Sequence, residues 1–268
     1  MLCNYARHYS NLTQLCLQRL TQGKLMSTDL MVSFINTHWL NLSAAIWFLV
    51  CFKGYIWYAS SKSYGSLSLA SILHIHRLQW MLRILDREIR VADNTAIANL
   101  ERSVAFFAST TMLIIAGLIT VLGSTDRAIA LVDHLPLSTP TTNTEWEIKI
   151  ILLIFVMVYA FFKFTWSLRQ YGFVTIMFGS APVPNEEISE QEKGKLAEKM
   201  ASMISMAANN FNIGLRTYYF SISMLTWFLN TWLFMLTASM IVFILYRREF
   251  KSSTLRILTL ESTLIKAS

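Results

Sequence analysis

Four cations stand where long apolar runs meet polar sequence: Lys53, Arg102, Lys163 and Arg216, with Arg169 shortly beyond Lys163. A lysine at the centre of a membrane helix costs about 2.5–3.5 kcal/mol, and neither Lys53 nor Lys163 lies at the centre of its run. Cations at such positions can lay their alkyl stems along hydrocarbon and hold their heads at the interface. Gathered at one level, they can also form a ring that contacts anionic lipid headgroups or an anionic solute. Electrostatic binding of an anion is therefore the chemistry these residues support.

Other groups point to less. Asn230, within the last apolar run, is suited to an interhelical hydrogen bond. No acidic residue lies well inside a run, which weakens a proton-coupled transporter. His74 and His76 are two apart. On a helix they face different sides and would not share a metal. No phosphate-binding loop, nucleophile elbow or paired-cysteine motif occurs, so no catalytic residue, cofactor or metal is named and the sequence leans away from an enzyme. The three cysteines, Cys3, Cys16 and Cys51, have no metal or redox spacing, and an odd count argues against a disulfide framework.

These groups are held by apolar elements. The chain has 268 residues, of which 54% are hydrophobic and 15% charged, with a mean hydropathy of +0.44. Charged residues usually make up about a quarter of a soluble domain. Val104–Gly123 carries no charge over a length of about 30 Å as a helix, enough to cross the hydrocarbon core of a bilayer. Trp39–Ala59, Glu147–Trp166 and Tyr219–Tyr246 behave similarly. Four membrane segments are expected, about 39–59, 104–123, 147–166 and 219–246. Thr144 and Glu147 have the spacing of a capping box for the third. Two amphipathic helices are expected between them. One runs over Leu78–Leu100, with Leu78, Met81, Leu82, Leu85, Ile89, Ala92, Ala96 and Leu100 on one face and an Asp86–Arg90 pair off it. The other is marked by Leu196, Met200, Met203, Ile204, Ala207 and Phe211. The fold class is all-α, a polytopic membrane helix bundle with four membrane segments and two cytoplasmic amphipathic helices. Residues 1–30 read as an N-terminal extension, 31–258 as the integral membrane domain and 259–268 as a tail.

Charge sets the direction. The net charge is +7, and the basic residues flank apolar runs, as anionic lipid requires, rather than forming a nucleic-acid surface. Lys62, Arg77, Arg83, Arg87, Arg90 and Arg102 follow the first segment. Arg169, Lys193, Lys195, Lys199 and Arg216 follow the third. Ser124–Trp146 holds only Arg127 against Asp126, Asp133 and Glu145, so it is external. The tail breaks the pattern, because four single spans would leave Arg247, Arg248, Lys251, Arg256 and Lys266 outside. The last run, about 42 Å as one helix, is read as a single tilted span. A break near Asn230 that returns the tail is the alternative.

Several motifs appear together: Trp80-Met81, Arg87-Glu88-Ile89-Arg90 with Asp93, Phe106–Thr110, Phe161–Tyr171, Asn209–Arg216, Tyr218-Tyr219-Phe220 and Tyr246–Phe250. In this order, over roughly Met31–Leu258, the chain resembles a family of bacterial inner-membrane proteins catalogued as a domain of unknown function, family five-ninety-nine. The resemblance implies a multi-pass protein of the bacterial inner membrane and supplies no reaction or substrate. It places Lys163, Arg169 and Arg216 within family-like motifs. The expected function is that of a non-enzymatic membrane scaffold or lipid-interacting component. A small oligomeric transporter or channel for an anionic solute is the alternative. Membrane lipids and a homo-oligomer or membrane-protein partner are the expected partners, and nucleic acid is excluded. Lys53, Arg102, Lys163, Arg169 and Arg216 are the candidate lipid or anion contacts.

Overall fold

The computed structural model describes residues 38–59, 61, 68–135, 138–184, 186 and 188–259. The proposed extension and all but the first residue of the proposed tail lie outside them. By internal contacts the chain divides into Met1–Trp47 and Phe48–Ser268. Helix α1, His38–Ala59, begins in the first unit, and every packing relationship below belongs to the second.

The described residues form helices and no strand: α1, α2 (Leu69–Leu85), α3 (Val91–Leu122), α4 (Thr125–Asp133), α5 (Asn143–Gly179), α6 (Glu190–Trp227), α7 (Thr231–Phe250) and a short helix at 253–259. Three of them, α1, α3 and α5, are long and apolar enough to cross a membrane. Helices α3 and α5 have 32 and 37 residues, about 48 and 55 Å, so both outrun about 30 Å of hydrocarbon. Large side chains on their flanks are left uncovered, among them Phe106, Leu113 and Phe155.

Helix ends follow local chemistry. Ser68 and Ser71 form a reciprocal cap on α2, as Ser189 and Glu192 do on α6. Thr142, not Thr144, caps α5 by accepting from the Glu145 N–H at 3.3 Å, and Glu147 is exposed.

Two breaks depart from the periodicity. The stripe expected over Leu78–Leu100 is not one helix, because α2 stops at Leu85 and α3 starts at Val91. Tertiary hydrogen bonds make this corner. Arg90 donates to the carbonyls of Ile84, Ala181 and Pro182, satisfying the end of α2 and tying it to the loop after α5. Ile89, Ala92 and Leu100 are exposed, while Asp93 and Ile97 turn inward. Asp86 pairs with Lys193 on α6 and not with Arg90.

The second break divides the last apolar run. Helix α6 ends at Trp227 and α7 begins at Thr231, with the Asn230 side chain accepting from the Trp232 N–H at 2.8 Å. The single tilted span is thereby overturned, and Asn230 is a cap instead of an interhelical bridge. The second amphipathic helix is also not a separate element, since α6 runs unbroken from Glu190 to Trp227. Its expected inward face holds, with Met200, Ile204 and Ala207 buried.

Helix α6 runs antiparallel to both α5 and α7. On α5 and α6, Lys149 meets Trp227, Phe164 meets Phe211 and Tyr218, and Ser167 meets Ala207. On α6 and α7, Thr226 meets Thr237 and Arg216 meets Glu249. Helix α6 therefore runs the length of the apolar part of α5, and α7 returns beside it. Beyond Phe164, the ends of α3, α5 and α6 join α2 in one apolar core that includes Met81, Ile84, Ile97, Val174, Met200 and Ile204.

Candidate functional site

The five candidate cations lie on four helices and divide into three kinds. Lys53 on α1 and Lys163 on α5 converge on one ring. Their Nζ atoms stand 5.3 and 5.7 Å from the centroid of Tyr159. Tyr159 is held by an edge-on contact with Phe52 at 6.0 Å. Lys163 also donates to Asn210 Oδ1 at 3.3 Å, and Asn210 donates in turn to Gln170 at 2.8 Å. Neither lysine has a carboxylate within ion-pair distance among the described residues. Two cations beside an aromatic face, with no carboxylate partner among the described residues, make an electropositive patch open to an external anion.

Arg216 is of the second kind. It is buried, donates to Glu249 Oε2 at 2.8 Å and lies over the Tyr55 ring at 5.5 Å. Its charge is answered inside the bundle by Glu249. Next to it, Arg248 donates to the Tyr219 hydroxyl at 2.9 Å. Arg102 and Arg169 are exposed and separate. Arg102 reaches Asn99, and Arg169 lies over Phe173.

Lys149 was missed. It is 4% exposed near the start of α5, donates to the Trp227 carbonyl at 3.2 Å and sits 5.5 Å from that indole. A cation at the carbonyl end of a helix answers the orphan acceptors and the dipole there. Its sign in the sequence is a lone lysine one turn into an apolar helix. Thr139 binds the neighbouring Leu229 carbonyl, so the α6–α7 turn is satisfied from two sides.

A second polar cluster joins α2 to α6, past the apolar stretch of α6. His74 Nδ1 lies 3.0 Å from Ser205 Oγ, His74 Nε2 lies 3.3 Å from Glu198 Oε1, and Arg77 donates to Ser205 Oγ at 3.3 Å. Burial lowers the Arg77 pKa from its ordinary value. His76, on another side of α2 as a helix requires, has its Nε2 buried with no hydrogen-bond partner among the described residues. At the α2–α3 corner, Asp93 accepts from Trp80 at 2.7 Å and from Arg87 at 2.7 Å. Burial pushes its pKa up, but the bonds from Trp80 and Arg87 outweigh it, so the carboxyl is held below its ordinary value.

Two surface grooves accompany these groups. One, of about 420 Å³, lies between α1 and α7 and is lined by Gly54, Tyr55, Tyr58, Val242, Phe243 and Tyr246, together with Ser239. The other, of about 260 Å³, is lined by Asn230, Trp232, Leu233 and Leu236. Lys53, Lys163 and Arg216 line neither.

Helices of this length and apolarity define a helical protein of membrane character. The chain belongs to the family described as "Protein of unknown function, DUF599", whose profile matches residues 43–254. No curated protein and no solved structure matches it.

Proposed function

We propose that this protein is a multi-pass component of the bacterial inner membrane that binds anionic lipid headgroups through Lys53 and Lys163. The convergence of these two lysines on Tyr159, with no carboxylate at ion-pair distance among the described residues, carries the reading. Arg102 and Arg169 add to the basic surface at the same end. Lipid or a membrane-protein partner, including a second copy of the chain, would meet this face, and the protein acts there as a scaffold. The transporter reading gains nothing from these two grooves, because Asn230 lines one of them and Lys53, Lys163 and Arg216 line neither.

Five membrane-level segments replace four in this proposal: α1, the apolar parts of α3 and α5, the last half of α6, and α7. The α6–α7 hairpin supports it, and so does charge. With Ser124–Trp146 external, a fifth segment brings Arg247, Arg248, Lys251 and Arg256 to the cytoplasmic side, where Lys53 and Lys163 also lie. Both polar clusters past the apolar part of α6 then face the cytoplasm.

The test is retention of lipid. The purified protein should keep phosphatidylglycerol through washing in a neutral detergent, as seen by native mass spectrometry. The Lys53→Leu, Lys163→Leu double variant should lose most of it while still binding phosphatidylcholine. Equal retention of phosphatidylglycerol by the folded double variant would sink the proposal.

A further inference from the structure

We infer that Ser205, His74 and Glu198 form a nucleophile–base–carboxylate relay on the solvent-facing edge of the α2–α6 contact, able to attack a carboxylic ester. It is separate from the Lys53–Lys163 patch and does not rest on it.

Glu198, His74 and Ser205 stand in line. Glu198 Oε1 stands 3.3 Å from His74 Nε2, within ion-pair distance, and the tautomer that carries its proton on Nε2 leaves Nδ1 as an acceptor. Nδ1 is 3.0 Å from Ser205 Oγ, within the reach required of a general base. Arg77 donates to the same Oγ at 3.3 Å, which occupies a lone pair and leaves the hydroxyl proton for His74. On these helices, hydroxyls commonly fold back onto the carbonyl four residues earlier, as those of Thr95, Ser103, Thr110, Thr165, Thr217 and Ser239 do. Ser205 engages His74 and Arg77 instead.

The parts are accessible. The His74 and Glu198 side chains are 34% and 51% exposed, and Ser205 is half-buried. Ser205 lies near the level of Ser167 on α5, through the Ser167–Ala207 bond, just past the apolar part of that helix. An ester at that depth comes from the membrane–water boundary. Arg77 is the cation closest to where an oxyanion would form, and it favours an ester that also carries a negative group.

In the step, Ser205 Oγ bonds to the carbonyl carbon and passes its proton to His74 Nδ1. The C–O bond to the leaving alcohol breaks, and His74 returns the proton to that alcohol. Water, deprotonated by His74, then attacks the acyl carbon, the acyl–Oγ bond breaks to release the acid, and His74 returns the proton to Ser205 Oγ. No redox partner is needed. Glu198 is a positioning residue that holds the histidine tautomer.

The experiment is covalent labelling of the full chain in detergent with an alkyl fluorophosphonate, mapped by peptide mass spectrometry. The expected result is an adduct on Ser205 with loss of fluoride. His74→Gln should slow it about 100-fold or more. Glu198→Ala should slow it at unchanged helical content and thermal midpoint, and Glu198→Asp should recover part of the rate. Hydrolysis of a p-nitrophenyl ester should disappear in Ser205→Ala. No adduct on Ser205 in the folded wild-type chain would overturn the inference, as would labelling that His74→Gln leaves unchanged.

Discussion

Arg216 on α6 and Glu249 on α7 are 33 positions apart in the chain, yet their side chains meet at 2.8 Å, with 6% and 17% exposure. This pair fixes the register of the α6–α7 hairpin, with the Thr226–Thr237 contact nearer the turn. Removing one partner strands a buried charge. Glu249→Ala should therefore cost about 3–5 kcal/mol in a reversible unfolding titration in detergent. Replacing both, as Arg216→Met with Glu249→Leu, should stay much closer to wild type, because an apolar pair leaves no charge to desolvate. Equal losses in the two variants would show that the pair is not the source of the stability.

Gly214 and Phe164 occupy each other's space. A Cβ at Gly214 would stand 2.4 Å from the Phe164 ring. That ring is wholly buried and held by Phe107, Phe211 and Tyr218, with centroids 5.6 to 5.8 Å away. It cannot swing aside without displacing three other aromatic groups. Gly214→Ala should destabilise the chain by about 1–3 kcal/mol, the usual range for an overpacked core, despite the better helix propensity of alanine. The matched variant Gly172→Ala has open space at its Cβ and should be neutral or slightly stabilising. Thermal midpoints of the two variants, measured side by side, check this.

Asp93 gives the α2–α3 corner an acid dependence. Its carboxyl is held below the ordinary value because the Trp80 and Arg87 bonds outweigh burial. A folded-state pKa below the unfolded one means that the ionised form contributes stability at every pH above the unfolded value, about 3.9. That contribution falls away as pH drops through the folded value. The thermal midpoint of the wild-type chain should decline on acidification from pH 5 to 3. Asp93→Asn should start lower and decline less over the same window. Parallel curves for the two proteins would count against the assignment.

How much of this was readable before the structure depends on the range of the interaction. The apolar runs of α1, α3 and α5 were legible because hydropathy is local, and so was the inward stripe Met200, Ile204 and Ala207 on α6. The corner at Asp86–Arg90 was not. It contains neither glycine nor proline, and its carbonyls are satisfied by Arg90 together with residues about 90 positions away. The break before Thr231 was visible as an alternative, because the run is long for one span and the tail is basic, but the groups that complete it, Thr139 and Lys149, come from elsewhere. Arg216 resembled the other cations at its level, because Glu249 lies one helix further on. The His74–Ser205 contact spans 131 positions and has no sequence spacing of its own.

The side of the tail separates a single last span from a hairpin. In a single span, Ser253 would emerge opposite Arg216. In the hairpin, the Arg216–Glu249 pair keeps the end of α7 level with the middle of α6, and the helix at 253–259 follows on the same side. A background with Cys3, Cys16 and Cys51 replaced by serine removes competing thiols. Asp133→Cys then reports the connection after α4, and Ser253→Cys reports the tail. On intact cells, a membrane-impermeant maleimide should label the first and not the second, and permeabilisation should expose both. Labelling of Ser253→Cys on intact cells at the rate of Asp133→Cys would place the basic tail outside. It would also refute the five-segment arrangement, because the tail cations would then lie opposite Lys53 and Lys163.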